Sequence, residues 1–89
     1  MKHKRGRIEI IGEILDVIDK GHNRKTRIMQ SVYLNWRNFK EYMKFLLENE
    51  LVEEIVDGTE RYYELTKKGE KILENYREIM EVLKIVSLC

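Results

Sequence analysis

Residues 24–48 read RKTRIMQSVYLNWRNFKEYMKFLLE, and residues 51–65 read LVEEIVDGTERYYEL. The first stretch has apolar residues at helical spacing on both sides of Tyr33-Leu34-Asn35, a segment long enough only for a turn. The second is rich in β-branched residues around Asp57-Gly58, a strong signal for a hairpin turn of about four residues. The predicted elements are two short helices, over residues 24–32 and 36–48, and two strands, over residues 51–56 and 61–65. Asn23 and Asn35 are the expected N-caps of the two helices.

Two further helices are predicted, one on each side of this segment. Residues 7–20 carry a broad apolar stripe that includes Ile11 and Leu15, and Gly21 is a natural stop. Thr66 can cap a last helix over residues 67–88. Helix, helix, helix, hairpin and helix is the layout of a winged helix-turn-helix domain. The predicted fold class is therefore mainly α with a small β-hairpin (α+β).

A chain of 89 residues is expected to form one domain. We predict a basic N-terminal arm over residues 1–6, a winged helix-turn-helix domain over residues 7–66, and a C-terminal coiled-coil helix over residues 67–89. Because a domain of this size has a small core, it often completes that core with a partner subunit.

The last predicted helix has an apolar seam whose steps alternate between four and three residues, the heptad spacing of a coiled coil. A winged-helix core needs only the start of this helix, so the rest of the seam would be exposed in a monomer. We predict a homodimer through the C-terminal helix, with an amphipathic helix packed inside the monomer as the alternative. The predicted interface residues are Ile72, Tyr76, Ile79, Met80, Leu83 and Val86.

The charges are unevenly distributed along the chain. The formal net charge is only +1, but residues 1–44 contain eleven Lys and Arg against five Asp and Glu, and residues 45–89 contain six against eleven. This distribution favours a first half that faces a polyanion and a second half that avoids it.

Other classes of function find no support in the sequence. His3 and His22 are far apart, and the chain contains neither a Cys/His cluster nor a glycine-rich phosphate loop. We therefore predict no enzymatic activity, no metal and no cofactor. The single cysteine, Cys89, fits a reducing compartment. Since no apolar run approaches the roughly 20 residues of a membrane helix, we expect a soluble cytoplasmic protein.

The second helix of a helix-turn-helix pair is the one that reads DNA. Arg and Asn can bond base edges, and Lys can bind phosphates. The first turn of helix two suits a phosphate, and the basic arm can lie along a groove. Because the wing tip is acidic, we expect at most one contact from it. The predicted DNA-binding residues are Lys4, Arg5, Arg24, Lys25, Thr26, Arg27, Asn35, Trp36, Arg37, Asn38, Lys40, Lys44 and Arg61.

Trp36 has two possible roles: it either lies against a sugar or a thymine methyl group, or packs back onto the domain.

Four sequence segments together resemble a known family. They are Arg7-Ile8-Glu9-Ile10-Ile11, Lys25-Thr26-Arg27-Ile28-Met29, Leu34-Asn35 with Tyr42-Met43 and Leu46-Leu47, and Tyr63-Glu64-Leu65-Thr66-Lys67-Lys68-Gly69. The chain resembles, over nearly its whole length, the archaeal winged helix-turn-helix DNA-binding proteins of the Sso10a family. The resemblance implies DNA binding and a homodimer held by a C-terminal antiparallel coiled coil. The family usually has Gly just before the first wing strand, where this chain has Asn49-Glu50. Because Asn49 tolerates a left-handed conformation, it is expected to end helix three in place of the glycine.

Two hypotheses for the function follow. The first is a homodimeric protein that binds double-stranded DNA, either as a transcriptional regulator or as a chromatin-like binder. The second is a winged-helix module that docks on another protein without touching DNA, with Trp36 and Tyr33 as its anchors.

Overall fold

The computed structural model describes residues 5–87, and the side chains of residues 5–84. Four helices and one antiparallel hairpin confirm the predicted fold class and the order of the elements. The elements are α1 (Arg7–Asp19), α2 (Lys25–Val32), α3 (Trp36–Glu48), β1 (Val52–Asp57), β2 (Glu60–Leu65) and α4 (Lys67–Ser87).

One core holds all six elements together. Its centre is formed by side chains that alternate with exposed ones at helical spacing on α1 to α3, by the base of the hairpin and by one residue of α4. The buried residues are Ile14, Leu15, Ile18, Ile28, Val32, Phe39, Met43, Leu46, Leu51, Val52, Tyr63 and Leu73. Since each fully buried residue of this kind stabilises the fold by about 1.5–3 kcal/mol, this cluster fixes how α2 and α3 sit relative to the hairpin.

The start of α2 differs from the prediction that Asn23 caps it. Arg24 occupies the N-cap position and makes no side-chain cap hydrogen bond. The Asn23 carbonyl instead accepts a hydrogen bond from the Tyr63 amide, at 2.9 Å. This long-range bond ties the loop before α2 to β2, which a local capping rule does not foresee.

The turn between α2 and α3 is as short as predicted. Tyr33 lies in the left-handed region (φ 58°, ψ 50°), and its amide bonds the Met29 carbonyl. Asn35 caps α3 as expected, because its side-chain oxygen accepts a hydrogen bond from the Asn38 amide at 2.8 Å. The cap fixes the direction in which α3 begins after the short loop that follows α2.

Asn49 is the C-cap residue and ends α3 as expected, but its backbone is not left-handed. Asn49 has φ −92°, whereas Glu50 has φ 58° and is the left-handed residue. Asn49 serves the helix end in another way, since its side-chain amide donates to the Phe45 carbonyl at 2.9 Å. The Leu51 amide then bonds the Leu46 carbonyl at 2.9 Å, which directs the chain into β1.

The hairpin is tighter than predicted. Strand pairing runs from Val52 opposite Leu65 to Asp57 opposite Glu60, so the turn consists of Gly58 and Thr59 rather than four residues. Gly58 has φ 64°, which glycine adopts without strain.

The segment after the hairpin explains the sequence pattern Tyr63 to Gly69. Thr66 caps α4: its hydroxyl accepts from the Gly69 amide at 3.0 Å and donates to the Glu50 carbonyl at 2.5 Å. A side chain at Gly69 would overlap the carbonyl of Leu51. The glycine is therefore required for the start of α4 to approach the base of the hairpin.

Helices α1 and α4 pack against each other closely. A methyl group placed on Gly12 would overlap the ring of Tyr76. Arg77 binds Asp16 at 2.6 Å and Asp19 at 3.1 Å. Burial tends to raise the pKa of Asp16, but hydrogen bonds from Arg77 and Lys20 outweigh this effect and hold its pKa below the usual value.

Candidate nucleic-acid interface

The outward face of α3 is polar, as predicted. Arg37, Asn38, Lys40 and Lys44 are exposed, while the opposite side of the helix is buried in the core. Within the part of the chain that the structure describes, Arg37 and Lys44 form no ion pair. Both cations are therefore available to an external anion.

Trp36 is the first residue of α3 and is 48% exposed. Its ring stacks on Phe39, with the centroids 5.8 Å apart. Two ammonium groups lie over the ring, that of Lys25 at 4.5 Å and that of Lys40 at 5.4 Å from its centroid. The indole thus joins the first turns of α2 and α3, and it is both packed on the domain and open to solvent.

A cleft of about 500 Å³ brings together predicted residues from three elements. Its lining includes Arg24, Lys25 and Thr26 at the start of α2, Trp36 on α3, and Arg61 on β2. The sequence predicted each of these residues separately. The structure places them around one concave surface, next to the exposed face of α3.

The cations at the start of α2 differ in how they are engaged. Arg24 forms an ion pair with Glu60 of β2 and lies 6.0 Å from the ring centroid of Tyr62. Arg27 donates to Nδ1 of His22 at 3.2 Å and forms no ion pair within the described residues. Lys25 is exposed, and its ammonium group lies 4.5 Å from the centroid of the Trp36 ring.

The predicted basic arm is only partly described. Lys4 lies outside the described residues. Arg5 does not extend away from the domain: its guanidinium binds the carboxylate of Glu13 and donates to the Val32 carbonyl at 2.7 Å. Arg5 thus links the start of α1 to the end of α2, instead of pointing outward along a groove as expected.

The wing is acidic and exposed. Its side chains include five solvent-facing carboxylates, and Arg61 lies 3.6 Å from the carboxylate of Glu54. The cation on β2 is therefore already opposed by an anion of β1. The exposed carboxylates are those of Glu53, Glu54, Asp57, Glu60 and Glu64.

Two residues of this surface were not among the predicted DNA-binding residues. Tyr33 is 85% exposed although its backbone is left-handed. An exposed aromatic residue in a conformation that disfavours side chains is a signal of function. Glu60 is the partner of Arg24, and its role depends on a pairing between residues 36 positions apart, which local patterns do not reveal.

On α4, the predicted seam is divided between two sides of the helix. Tyr76 is half-buried against Gly12 of the same chain, and Met80 is half-buried as well. The apolar side chains that stay open form what we call the α4 stripe: Ile72, Ile79, Val82 and Leu83. Val82 was not predicted, and the side chain of Val86 lies outside those that the structure describes.

Among the helices of residues 5–87, none is long and apolar enough to cross a membrane. The same residues contain no group of three His, Cys, Asp or Glu side chains placed to hold a metal ion.

Comparison with known proteins gives consistent matches. The sequence profile of the family described as winged helix-turn-helix matches residues 4–84. An uncharacterized protein of Methanocaldococcus jannaschii, MJ0287, is 37% identical over 82 residues, which cover 92% of this chain and 80% of that protein. This archaeal match and the fold of Sso10a-2, below, confirm the resemblance predicted from the sequence.

Solved structures share the fold as well. Sso10a-2, a DNA-binding protein from Sulfolobus solfataricus, superposes with a TM-score of 0.77 at 20% identity, over 93% of this chain and 86% of that one. MepR of Staphylococcus aureus, solved as a complex with DNA, superposes with a TM-score of 0.76 at 17% identity. That match covers 88% of this chain and 60% of MepR.

Proposed function

The chain belongs to the winged helix-turn-helix family, and on that premise we propose that it binds double-stranded DNA. The observation that carries the proposal is the exposed face of α3, on which Arg37, Lys40 and Lys44 outnumber Glu41 and Glu48. Arg37 and Lys44 are exposed and unpaired within the described residues, and Lys25 adds a third exposed cation from α2. Cations left open on one face attract phosphates, and their binding releases counterions from DNA.

The side chains on this face suit separate tasks. Arg37 and Asn38, in the first turn of α3, are of the types that bond guanine and adenine edges in the major groove. Lys40, Lys44 and Lys25 suit the phosphates on either side. Since the face carries groups able to read bases, we assign the protein to the transcriptional regulators. Sso10a-2 is described as a DNA-binding protein and MepR was solved with DNA, which supports the same use of this fold.

The wing takes little part in this mode of binding. Its carboxylates would face phosphates across a short distance, and like charges placed there lower affinity. Arg24 and Arg61 are both engaged by wing carboxylates. We therefore assign the main contacts to α3 and α2.

The protein acts as a homodimer through the α4 stripe. Each aliphatic side chain of this stripe that becomes fully buried contributes about 1.5–3 kcal/mol, and a second copy offers a matching surface. The 21 residues of α4 span about 32 Å. This length is close to the roughly 34 Å between successive major grooves on one face of DNA, so a dimer along α4 suits two half-sites.

The test is a titration with a fluorescent duplex at two salt concentrations. We expect affinity to fall steeply as salt rises, because several phosphates are neutralised. The double variant Arg37→Ala with Lys44→Ala should bind about tenfold or more weakly. The matched control is Lys67→Ala with Lys71→Ala on α4, which removes the same charge and should change affinity less than about twofold.

The alternative function is docking on a protein through Trp36 and Tyr33, and the acidic wing is the observation that favours it. Under this alternative, no duplex binding occurs even at low salt. Equal duplex affinities of the two double variants would mean that α3 does not contact the DNA. Weaker binding by the α3 variant alone supports DNA binding through α3.

A further inference from the structure

Trp36 keeps about half of its surface in solvent although it is the largest apolar side chain of the chain and stands among cations. The ring is not loosely placed, because it stacks on Phe39, which is itself 2% exposed. A rigid and exposed apolar side chain on a basic surface suits a polyanionic partner that itself carries an apolar group.

Trp36 also occupies the position from which a reading helix reaches bases. It is the first residue of α3, directly after the Asn35 cap, and the N-terminal residues of a recognition helix contact base edges. The ammonium groups of Lys25, on α2, and Lys40, on α3, lie over its ring, 4.5 Å and 5.4 Å from the centroid. When these cations bind phosphates, the indole beneath them lies close to the DNA.

The contacts of the ring limit what it can bind there. Phe39 and the two lysines already lie against its π-system. A base that stacked on Trp36 would have to displace one of these groups, whereas a methyl group needs only the exposed edge. In the major groove of a duplex, the apolar group on a base edge is the C5-methyl of thymine.

Building on the proposed function, we propose that Trp36 is a specificity-determining residue that contacts a thymine methyl group in the major groove. The protein therefore prefers thymine at one position of each half-site. Lys25 and Lys40 remain over the indole and bind phosphates from there, so the methyl group meets only the exposed edge of the ring.

The experiment compares two duplexes of about 20 base pairs, or two helical turns. One alternates adenine and thymine, and the other alternates adenine and deoxyuridine, which lacks only the methyl group. Because every register presents the same edges, the target sequence need not be known. We expect the wild-type protein to bind the deoxyuridine duplex about fourfold more weakly for each methyl group that Trp36 would otherwise bury.

The variant Trp36→Ala should bind both duplexes equally, and Tyr33→Ala, the matched aromatic control, should keep the discrimination. Trp36 is the single tryptophan, so the emission of the unmodified protein gives a second readout that does not depend on any variant folding. Its emission should change more with the thymine duplex than with the deoxyuridine duplex.

Each contrary outcome has a separate meaning. If neither duplex binds, the proposed function fails together with this inference. If both bind the wild type equally, or Trp36→Ala still discriminates, the inference alone is overturned. Tighter binding of single strands than of the duplex, abolished in Trp36→Ala, would mean that the ring stacks on an unpaired base, which also overturns it.

Discussion

Glu60 of β2 binds the guanidinium of Arg24, the N-cap residue of α2, and so joins the wing to the helix-turn-helix. Both side chains are more than half exposed, so the pair is worth only about 0.2–1 kcal/mol. The pair matters because Glu60 competes with DNA for Arg24: without Glu60, the guanidinium would be available to a phosphate at the start of α2.

Replacing Glu60 with Gln should therefore strengthen duplex binding. The expected gain is about 1.5- to 5-fold, the affinity that corresponds to releasing one exposed ion pair. Fluorescence anisotropy at low salt measures it. Glu64→Gln is the matched control, since it removes one exposed wing carboxylate that has no cation partner in the described residues. Equal gains in the two variants would mean that only the overall wing charge matters.

Gly12→Ala should destabilise the domain although alanine favours helices. The added methyl group meets the ring of Tyr76, and overpacking of this kind costs about 1–3 kcal/mol, more than the roughly 1 kcal/mol of helix propensity gained. Urea denaturation of both proteins gives the difference in the free energy of unfolding.

The sign of the Gly12 effect should reverse when the ring is absent. In a Tyr76→Ala background, Gly12→Ala meets no obstacle, so helix propensity alone should raise the free energy of unfolding by about 1 kcal/mol. Destabilisation in both backgrounds would contradict the close packing of α1 on α4 through this pair.

Glu50→Gly should stabilise the protein. A residue with a side chain at φ 58° carries a cost of about 1–2 kcal/mol that glycine avoids, and the Glu50 carbonyl keeps its hydrogen bond from Thr66. We expect a gain of about 1 kcal/mol in the free energy of unfolding. Asn49→Gly is the neighbouring control and should destabilise, since it removes the hydrogen bond to Phe45. The opposite order would assign the left-handed position to Asn49.

The order of elements was predictable because most boundaries have a local signal: Asn35 caps α3, Thr66 caps α4 and Gly58 turns the hairpin. The exposed face of α3 followed from helical spacing alone. The left-handed residue is Glu50 and not Asn49. The conformational preference of Asn is a local signal, whereas the position of Glu50 depends on a long-range contact, the hydrogen bond that its carbonyl accepts from Thr66.

Long-range pairings were the part that sequence patterns could not supply. The engagement of Arg24 by Glu60 and of Arg5 by Glu13 depends on how separate elements pack. The inward position of Tyr76 had one usable signal, namely a glycine in the middle of α1. Glycine is unfavourable in a helix interior unless another element approaches closely, and Tyr76 is that neighbour.

The last prediction concerns the α4 stripe, in which Ile79 is 57% exposed. Ile79→Lys should leave the monomer folded, because the new side chain points into solvent there. It should prevent dimerisation, since a lysine without a partner in an apolar interface carries a high desolvation cost. Light scattering at micromolar concentration should give twice the chain mass for the wild type and the chain mass for the variant.

The control for Ile79→Lys is Glu74→Lys, which places a lysine at an exposed position of α4 outside the stripe and should keep the dimer mass. Duplex affinity should fall for Ile79→Lys but not for Glu74→Lys, because a dimer engages two half-sites and a monomer only one. A monomer mass for the wild-type protein would overturn the dimer. A dimer mass for Ile79→Lys would move the interface away from the α4 stripe.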